Sequence, residues 1–345
     1  MSAISWLSGG SFRASTPAAP RGTFVAASLL ALAFASCKTK ADNASASASG
    51  QAAAQMLHFA FVTNNSSDFW NIAEKGVRKA EKDLGIKADV FRPLKGEVSD
   101  QQRFLEDIQV QNFDGVAISP IDADAMTPLL DKVAGKMSLV CDDSDAPKSK
   151  RVAYVGSNNV DAGRAAGKAA LEALAASGAK TGKVALFVGR MDMQNAIDRK
   201  QGIDEALGKE SGLEILPVFL DNADRTKAKK NVEDALARYP DLVLMIGIWS
   251  YNGPALAGAT RASTREHKPA IVAFDEEEET LKAVQDGLIY ATITQKPFEF
   301  GYQSMKLLKD AKDGKSVEKV VDTGLVTVEK PSLAEFWDQL KILKK

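Results

Sequence analysis

Residues 57–85, LHFAFVTNNSSDFWNIAEKGVRKAEKDLG, decide the fold. They open on an apolar run, 57–62, and pass through a polar loop, Thr63-Asn64-Asn65-Ser66-Ser67-Asp68. Beyond the loop the apolar positions Ile72, Val77, Ala80 and Leu84 recur at helical spacing. Ser67 or Asp68 can cap that helix, and Gly85 can end it. Strand, loop and helix in this order begin a doubly wound α/β sheet, in which ligands bind beyond the carboxyl ends of the strands. At that point the loop leads into two aromatics, Phe69 and Trp70. A flat apolar face beside fixed donors and acceptors suits a small polar ligand with an apolar face, such as a sugar.

The alternation continues downstream. Residues 88–92, 115–119, 138–141 and 152–155 read as short strands, with helical patterns between them from Ser99 and through Met126, Leu129, Leu130 and Val133. The strand at 138–141 is expected to end in an acidic loop that starts at Asp142. The pattern then starts again with an apolar strand at 183–188, a Gly189-Arg190-Met191-Asp192-Met193-Gln194-Asn195 loop and a helix through Ile197, Ile203, Ala206 and Leu207. Further strands are expected at 215–220, 242–246, 270–274 and 289–293, followed by a helix over 298–309 and short segments around Val320 and Val326. Short strands alternating with helices predict parallel sheets. Two similar α/β halves predict two lobes with the strand ends of each facing a shared cleft, and hinge closure around a ligand is the usual motion of such an arrangement.

Composition removes several function classes. The chain has 345 residues, a formal net charge of -1, 45% hydrophobic and 26% charged residues, which allows about two domains. Near-neutral charge without a basic stripe gives no footprint for nucleic acid. Two cysteines, Cys37 and Cys141, are too few for a disulfide framework, and Cys141 in an apolar strand reads as an inert buried thiol. Two histidines, His58 and His267, weigh against metal or triad chemistry, and no ligand spacing for a metal and no phosphate-binding glycine loop is present. No metal, no cofactor and no catalytic residue is expected. A glycosidase built on Asp142 and Asp275 is the enzymatic alternative.

Residues 1–55 read as processing and tether rather than fold. Arg13 and Arg21 precede an apolar run at 24–34 that is shorter than the roughly 20 residues needed to span a bilayer. A basic region, an apolar region and a small-residue end make a secretory signal. Its end, Phe34-Ala35-Ser36-Cys37, resembles a bacterial lipoprotein signal, which implies lipidation of Cys37. Residues 38–55, KTKADNASASASGQAAAQ, lack the large apolar side chains needed to bury anything and read as a flexible tether. The protein is therefore expected at a membrane surface outside the cytoplasm, in the periplasm or on the cell surface.

From about Leu57 to about Val328 the chain resembles the periplasmic sugar-binding proteins of ABC transporters, of the ribose- and glucose-binding type. The stretches that carry the resemblance run through both halves: FVTNNSSDFW, DGVAISPIDADA, YVGSNNVDAGR, VGRMDMQNAIDRKQGI, IWSYNGPALAGA, IVAFDEEEETLKAVQDG and ATITQKPFEFGY. The resemblance implies the type I periplasmic binding protein fold, two Rossmann-like lobes joined by a multi-segment hinge. It places the first lobe at 56–156 and 296–322 and the second at 157–295 and 323–345, after a signal at 1–36 and a tether at 37–55. It also implies a monosaccharide ligand, an ABC permease as partner, and a monomer; a sensor subunit for chemotaxis or two-component signalling is the alternative use of the same cleft.

The family's contact positions carry over one at a time. Asn65, Ser67, Phe69 and Trp70 occupy its first binding loop. Asp142 stands where the family has a strand-end aspartate, and Asp143 where ribose binders often carry arginine. Asn195 and Arg199 fall in the polar motif after the glycine loop, with Ile197 replacing a second ribose-type arginine. Trp249, Tyr251 and Asn252 fall on the next loop, and Asp275 and Gln295 match the family's aspartate and glutamine. Ser157, Asn158 and Gln295 lie near hinge crossings. These types suit a sugar, because a hydroxyl both donates and accepts while carboxylates accept and amides do both. Phe69 and Trp70 can equally fill a core at the start of a helix, and Arg199 can equally serve a structural ion pair.

Overall fold

The computed structural model describes residues 56–93, 96–208 and 212–344. The signal, the tether and the proposed lipidation site at Cys37 lie outside the described residues. Among those described, a six-stranded sheet runs in the order β12-β5-β4-β3-β1-β2, built from β1 (His58–Val62), β2 (Lys87–Phe91), β3 (Gly115–Ile118), β4 (Ser138–Asp142), β5 (Ala153–Gly156) and β12 (Val320–Asp322). A second sheet runs β13-β11-β10-β9-β6-β7, from β6 (Gly182–Val188), β7 (Leu213–Ile215), β9 (Leu242–Gly247), β10 (Ala270–Phe274), β11 (Ala291–Thr294) and β13 (Val326–Glu329). The short β8 (Phe219–Leu220) pairs with β6 off that path. All pairings are parallel except β11 with β13.

The helices α1 (Phe69–Leu84), α2 (Val98–Ile108), α3 (Ala123–Ala134) and α9 (Pro297–Lys312) cover the first sheet. The second is covered by α4 (Asn159–Ser177), α5 (Gln194–Leu207), α6 (Arg225–Arg238), α7 (Asn252–Ala262), α8 (Glu278–Gln285) and α10 (Leu333–Lys344). Strands buried on both faces explain the near-continuous apolar runs. In β1, Phe59 and Phe61 enter the core shared with α1 and α9, while Ala60 and Val62 enter the core on the opposite face with α2 and α3. Gly85 ends α1 in the left-handed conformation, φ 64°, where a side chain is disfavoured.

The polypeptide passes between the sheets three times, at 157–158 after β5, at 295–296 after β11 and at 323–325 after β12. Ser157 Oγ donates to Gly324 O at 2.8 Å, and Thr323 N donates to Gly156 O at 3.0 Å, so two of the crossings are bonded to one another.

The observed elements depart from the sequence reading in places that matter. The strand expected at 215–220 is broken into β7 and β8 around Pro217, which has no N–H to continue a ladder. β4 runs one residue beyond the expected end, so Asp142 is still in the strand and pairs with Val155 of β5. The acidic loop therefore begins at Asp143, with φ 54°.

Candidate functional site

The carboxyl ends of both sheets meet around one cleft, where ligands of such sheets bind. The first sheet contributes Asn65, Ser67, Phe69 and Trp70, from the loop after β1 and the first turn of α1. The second contributes Asn195 and Arg199 from α5, Trp249 and Tyr251 from the turn after β9, Asp275 after β10, and Gln295 after β11.

Two of the residues expected there stand elsewhere. Asp142 is fully buried and does not line the cleft, because its strand position turns it into the sheet interior. The left-handed turn after it presents Asp143 instead, so the cleft carboxylate is one residue later than the sequence register suggested. Asn252 starts α7 behind the wall. Its side chain accepts from Trp249 N at 3.0 Å and donates to Asp221 Oδ2 at 3.0 Å, which orients the wall without lining the cleft.

The first-lobe wall is a bonded unit. Asp143 Oδ2 accepts from Asn64 Nδ2 at 3.0 Å, from Ser119 Oγ at 3.0 Å and, across the cleft, from Asn195 Nδ2 at 3.1 Å. Asn64 Oδ1 in turn accepts from Trp70 Nε1 at 3.3 Å and from Asn65 Nδ2 at 2.6 Å. Phe69 and Trp70 meet edge to face, 5.2 Å between ring centroids, and both also belong to the core. They pack in the core and also line the cleft.

Arg199 organises the opposite wall. It is 1% exposed; its Nε donates to Asn159 Oδ1 and its Nη1 to Ile248 O, each at 2.9 Å, and its guanidinium lies 4.6 Å from the centre of the Phe274 ring. Close approach of α4 and α5 puts it there: a Cβ on Gly163 would stand 2.1 Å from Arg199 O, and one on Gly202 2.0 Å from Val160 O. Trp249 and Tyr251 cross edge to face at 6.2 Å. Tyr251 donates its hydroxyl to Asp221 Oδ1, so Asp221 fixes both Tyr251 and Asn252.

Burial decides the protonation of the carboxylates. Asp143 is raised above the ordinary range, chiefly by burial, with Arg199 and the donors from Ser119, Asn195 and Asn64 partly offsetting it. Asp275 is raised to about 6, again chiefly by burial, against the pull of Arg199 and a 3.1 Å hydrogen bond from Gln295 Nε2. Cys141 is buried and its thiol is pushed up by burial, as expected of an inert thiol.

Four buried polar atoms of the cleft residues have no protein partner among the described residues: Asn195 Oδ1, Arg199 Nη2, Trp249 Nε1 and Gln295 Oε1. Two accept and two donate. Leaving such groups unpaired costs about 1–3 kcal/mol each, so the arrangement calls for a ligand that offers both donors and acceptors.

A family profile described as periplasmic binding protein domain matches residues 59–316. The chain belongs to that family. Among its relatives, the D-allose-binding periplasmic protein of Escherichia coli is 28% identical over 279 residues, covering 76% of this chain and 89% of that protein. The ribose import binding protein of Salmonella typhimurium is 25% identical, over 79% and 90%. Among solved structures, an ABC transporter solute-binding protein of Burkholderia graminis in complex with D-arabinose superposes with a TM-score of 0.75 at 27% identity, covering 80% of this chain and 96% of that one. A glucose-galactose binding protein of Geobacillus stearothermophilus gives 0.75 at 29%, over 81% and 99%. The fold is that of the type I periplasmic sugar-binding proteins, and the family places its members outside the cytoplasm.

The sequence reading left Asn64, Ser250 and Asp221 out of the candidate set, and named Asp143 only as standing where ribose binders often carry arginine. Asn64 and Ser250 adjoin residues that were found, and Asp221 follows directly on β8. The available signal was the end of a strand, and it works only when the strand end is placed to the residue.

Proposed function

We propose that this periplasmic binding protein captures a monosaccharide between its lobes and delivers it to an ABC-type importer, without catalysing a reaction. The observation that carries the reading is the set of unpartnered donors and acceptors at Asn195, Arg199, Trp249 and Gln295, set beside the rings of Phe69, Trp70 and Trp249. Ring hydroxyls supply both halves of that pairing, and the C–H face of a pyranose or furanose covers an aromatic ring at about 25 cal/mol per Å². Asp143 and Asp275 accept from adjacent hydroxyls, each charged hydrogen bond contributing about 1.5–3 kcal/mol. Sugar binding by the relatives supports the same ligand class.

The lobes are taken as 56–156 with 296–322, and 157–295 with 323–345. They close because the ligand contacts both walls only in the closed arrangement, which shifts the population toward it. The signal-like segment before Cys37 supports lipidation of that cysteine and attachment of the monomer to a membrane through the following tether. The permease is the partner of the closed form.

Calorimetric titration of the chain from Gln55 onward with neutral aldoses, ketoses and polyols tests the reading. Saturable binding of one of them, lost in Asp275→Ala with Trp249→Ala, is the expected result. Silence across such a panel sinks it.

A further inference from the structure

We propose that the C-terminal helix α10 is a clasp between the two lobes: it holds α1 against the second sheet when the cleft is shut, and so favours closure without touching the ligand. This rests on the hinge closure of the proposed function, whatever the sugar.

α10 carries Leu333, Phe336, Trp337 and Leu340 at i, i+3, i+4 and i+7, an apolar stripe along one face. Leu333 and Leu340 are buried and Phe336 and Trp337 half-buried, while Glu335, Asp338, Gln339 and Lys341 are exposed. The helix lies beyond 59–316, the residues that the family profile matches, so family membership assigns it no role.

α10 touches elements of both sheets: β13 and α8 of the second, and α1 of the first. The side chains of α1 divide accordingly. Phe69, Trp70, Ala73, Val77 and Ala80 enter the core of the first sheet. Ile72, 3% exposed, enters instead the apolar cluster of the second sheet, to which α10 contributes Leu333 and Leu340. Phe298, at the start of α9 and just past the crossing at 295–296, packs against the same cluster, as do Phe336 and Trp337. Both α1 and α9 therefore lend an apolar side chain to the core of the opposite lobe.

This burial is made with the cleft walls in contact, Asn195 bonded to Asp143. Rotation about the crossings carries the first sheet, with α1 and α9, away from the second. α10 follows β13 after only Lys330-Pro331-Ser332, so it stays with the second sheet. Opening then exposes Ile72 and the stripe of α10 to water, which is unfavourable in proportion to the apolar area uncovered. With the clasp in place the ligand needs less differential affinity to shut the cleft, and release requires the clasp to break.

The test uses Ile72→Ala, Leu340→Ala and their combination in the mature chain, with Leu236→Ala of α6 as the control. Leu236 is buried in the second-sheet cluster, where α6 packs on α7, β6 and β8. Neither Ile72 nor Leu340 lines the inner cleft. Calorimetry and stopped-flow are run with D-allose, D-ribose, D-arabinose and D-glucose, and the sugar that the parent binds most tightly is used throughout. The expected result is a dissociation constant raised roughly 3- to 30-fold in each single variant, mainly through faster release. The double variant should exceed the larger single effect by no more than about threefold, because both changes break one contact. Scattering at saturating sugar should show the same compact form in all. Leu236→Ala should lower the melting temperature at least as much and leave affinity within about twofold. Affinity within about twofold of the parent in either single variant overturns the clasp. So does a double variant whose loss is the full product of the two singles, or a loss of affinity that Leu236→Ala reproduces. If none of the four sugars binds, nor any of a wider neutral panel, the sugar reading falls by itself and sugar-free scattering decides. A larger radius of gyration in both single variants than in the parent then supports the clasp, and unchanged radii overturn it.

Discussion

Asn195 of α5 donates from Nδ2 to Asp143 Oδ2 at 3.1 Å, joining the walls contributed by the two sheets directly across the cleft. The same carboxylate oxygen is held from its own side by Asn64 and Ser119. Removing the cross-cleft donor should therefore weaken closure as well as ligand contact. Asn195→Ala is expected to lower sugar affinity about 10- to 100-fold, corresponding to roughly 1.5–3 kcal/mol for a hydrogen bond to a charged group. Small-angle scattering at saturating sugar should still reach the compact form, while at subsaturating sugar the variant stays open longer than the parent. Unchanged affinity in calorimetry would mean that the 3.1 Å bond makes no net contribution.

Acid should stabilise the sugar-free protein while weakening its ligand. Burial raises Asp275 to about 6 in the folded chain, against about 3.9 when unfolded. Between those values the folded state binds more protons than the unfolded one, so stability falls as pH rises, by up to about 1.4 kcal/mol per pH unit. The cost is absent below pH ~4 and fully present above pH ~6. Asp143, also raised by burial, adds a contribution of the same sign. The melting temperature without sugar should rise when pH drops from 7 to 5, whereas sugar affinity should fall, since a protonated Asp275 accepts hydroxyls less well. Asp275→Asn should raise the melting temperature at pH 7, flatten this slope and bind sugar poorly. A sugar-free melting temperature that falls steadily from pH 7 to 5 would contradict the assignment.

Gly189 is a space requirement of the aromatic wall. A Cβ there would stand 2.0 Å from Trp249 Cζ3 and 2.6 Å from the Tyr251 hydroxyl, and the indole cannot retreat without losing its place over the cleft. Overpacking of this kind costs about 1–3 kcal/mol. Gly189→Ala is expected to fold, to reduce sugar affinity at least tenfold and to change the ligand-induced tryptophan fluorescence. Normal fluorescence response and affinity would show that the wall relaxes freely.

Much of this arrangement was legible in the residues and some of it was not, for identifiable reasons. The alternation of apolar runs with helical periods specifies two parallel sheets, because a strand buried on both faces has no polar side to display. Ten of the positions carried over from the family resemblance reach the cleft, since each follows a strand end and loops at strand ends face the same way. Asp142 failed because period-two alternation reverses on a single-residue shift: with β4 ending at Asp142, that side chain turns inward and Asp143 turns out. Asn252 and Asp221 were harder to read because they act on a residue that lines the cleft, and such support is a three-dimensional relation between α7 and the end of β8.

The hinge side of the first lobe depends on a glycine contact between α1 and α9. A Cβ on Gly76 would lie 1.9 Å from Phe298 O, and one on Gly301 2.0 Å from Ala73 O, so each helix reads the other's backbone. Neither glycine has an unusual φ, so the requirement is space and not conformation. A helical alanine ordinarily gains up to about 1 kcal/mol over glycine, and here the clash with backbone atoms should reverse that gain. Gly76→Ala and Gly301→Ala are each expected to lower unfolding free energy by about 1–3 kcal/mol, measured by urea denaturation. Because α9 follows directly on the crossing at 295–296, their effect should extend to sugar affinity through Gln295. The control is Gly258→Ala: that position lies in α7 with open space where a Cβ would stand, and alanine there should be neutral or stabilising. Equal stabilisation by alanine at positions 76, 301 and 258 would show that α1 and α9 do not approach as closely as their backbones indicate.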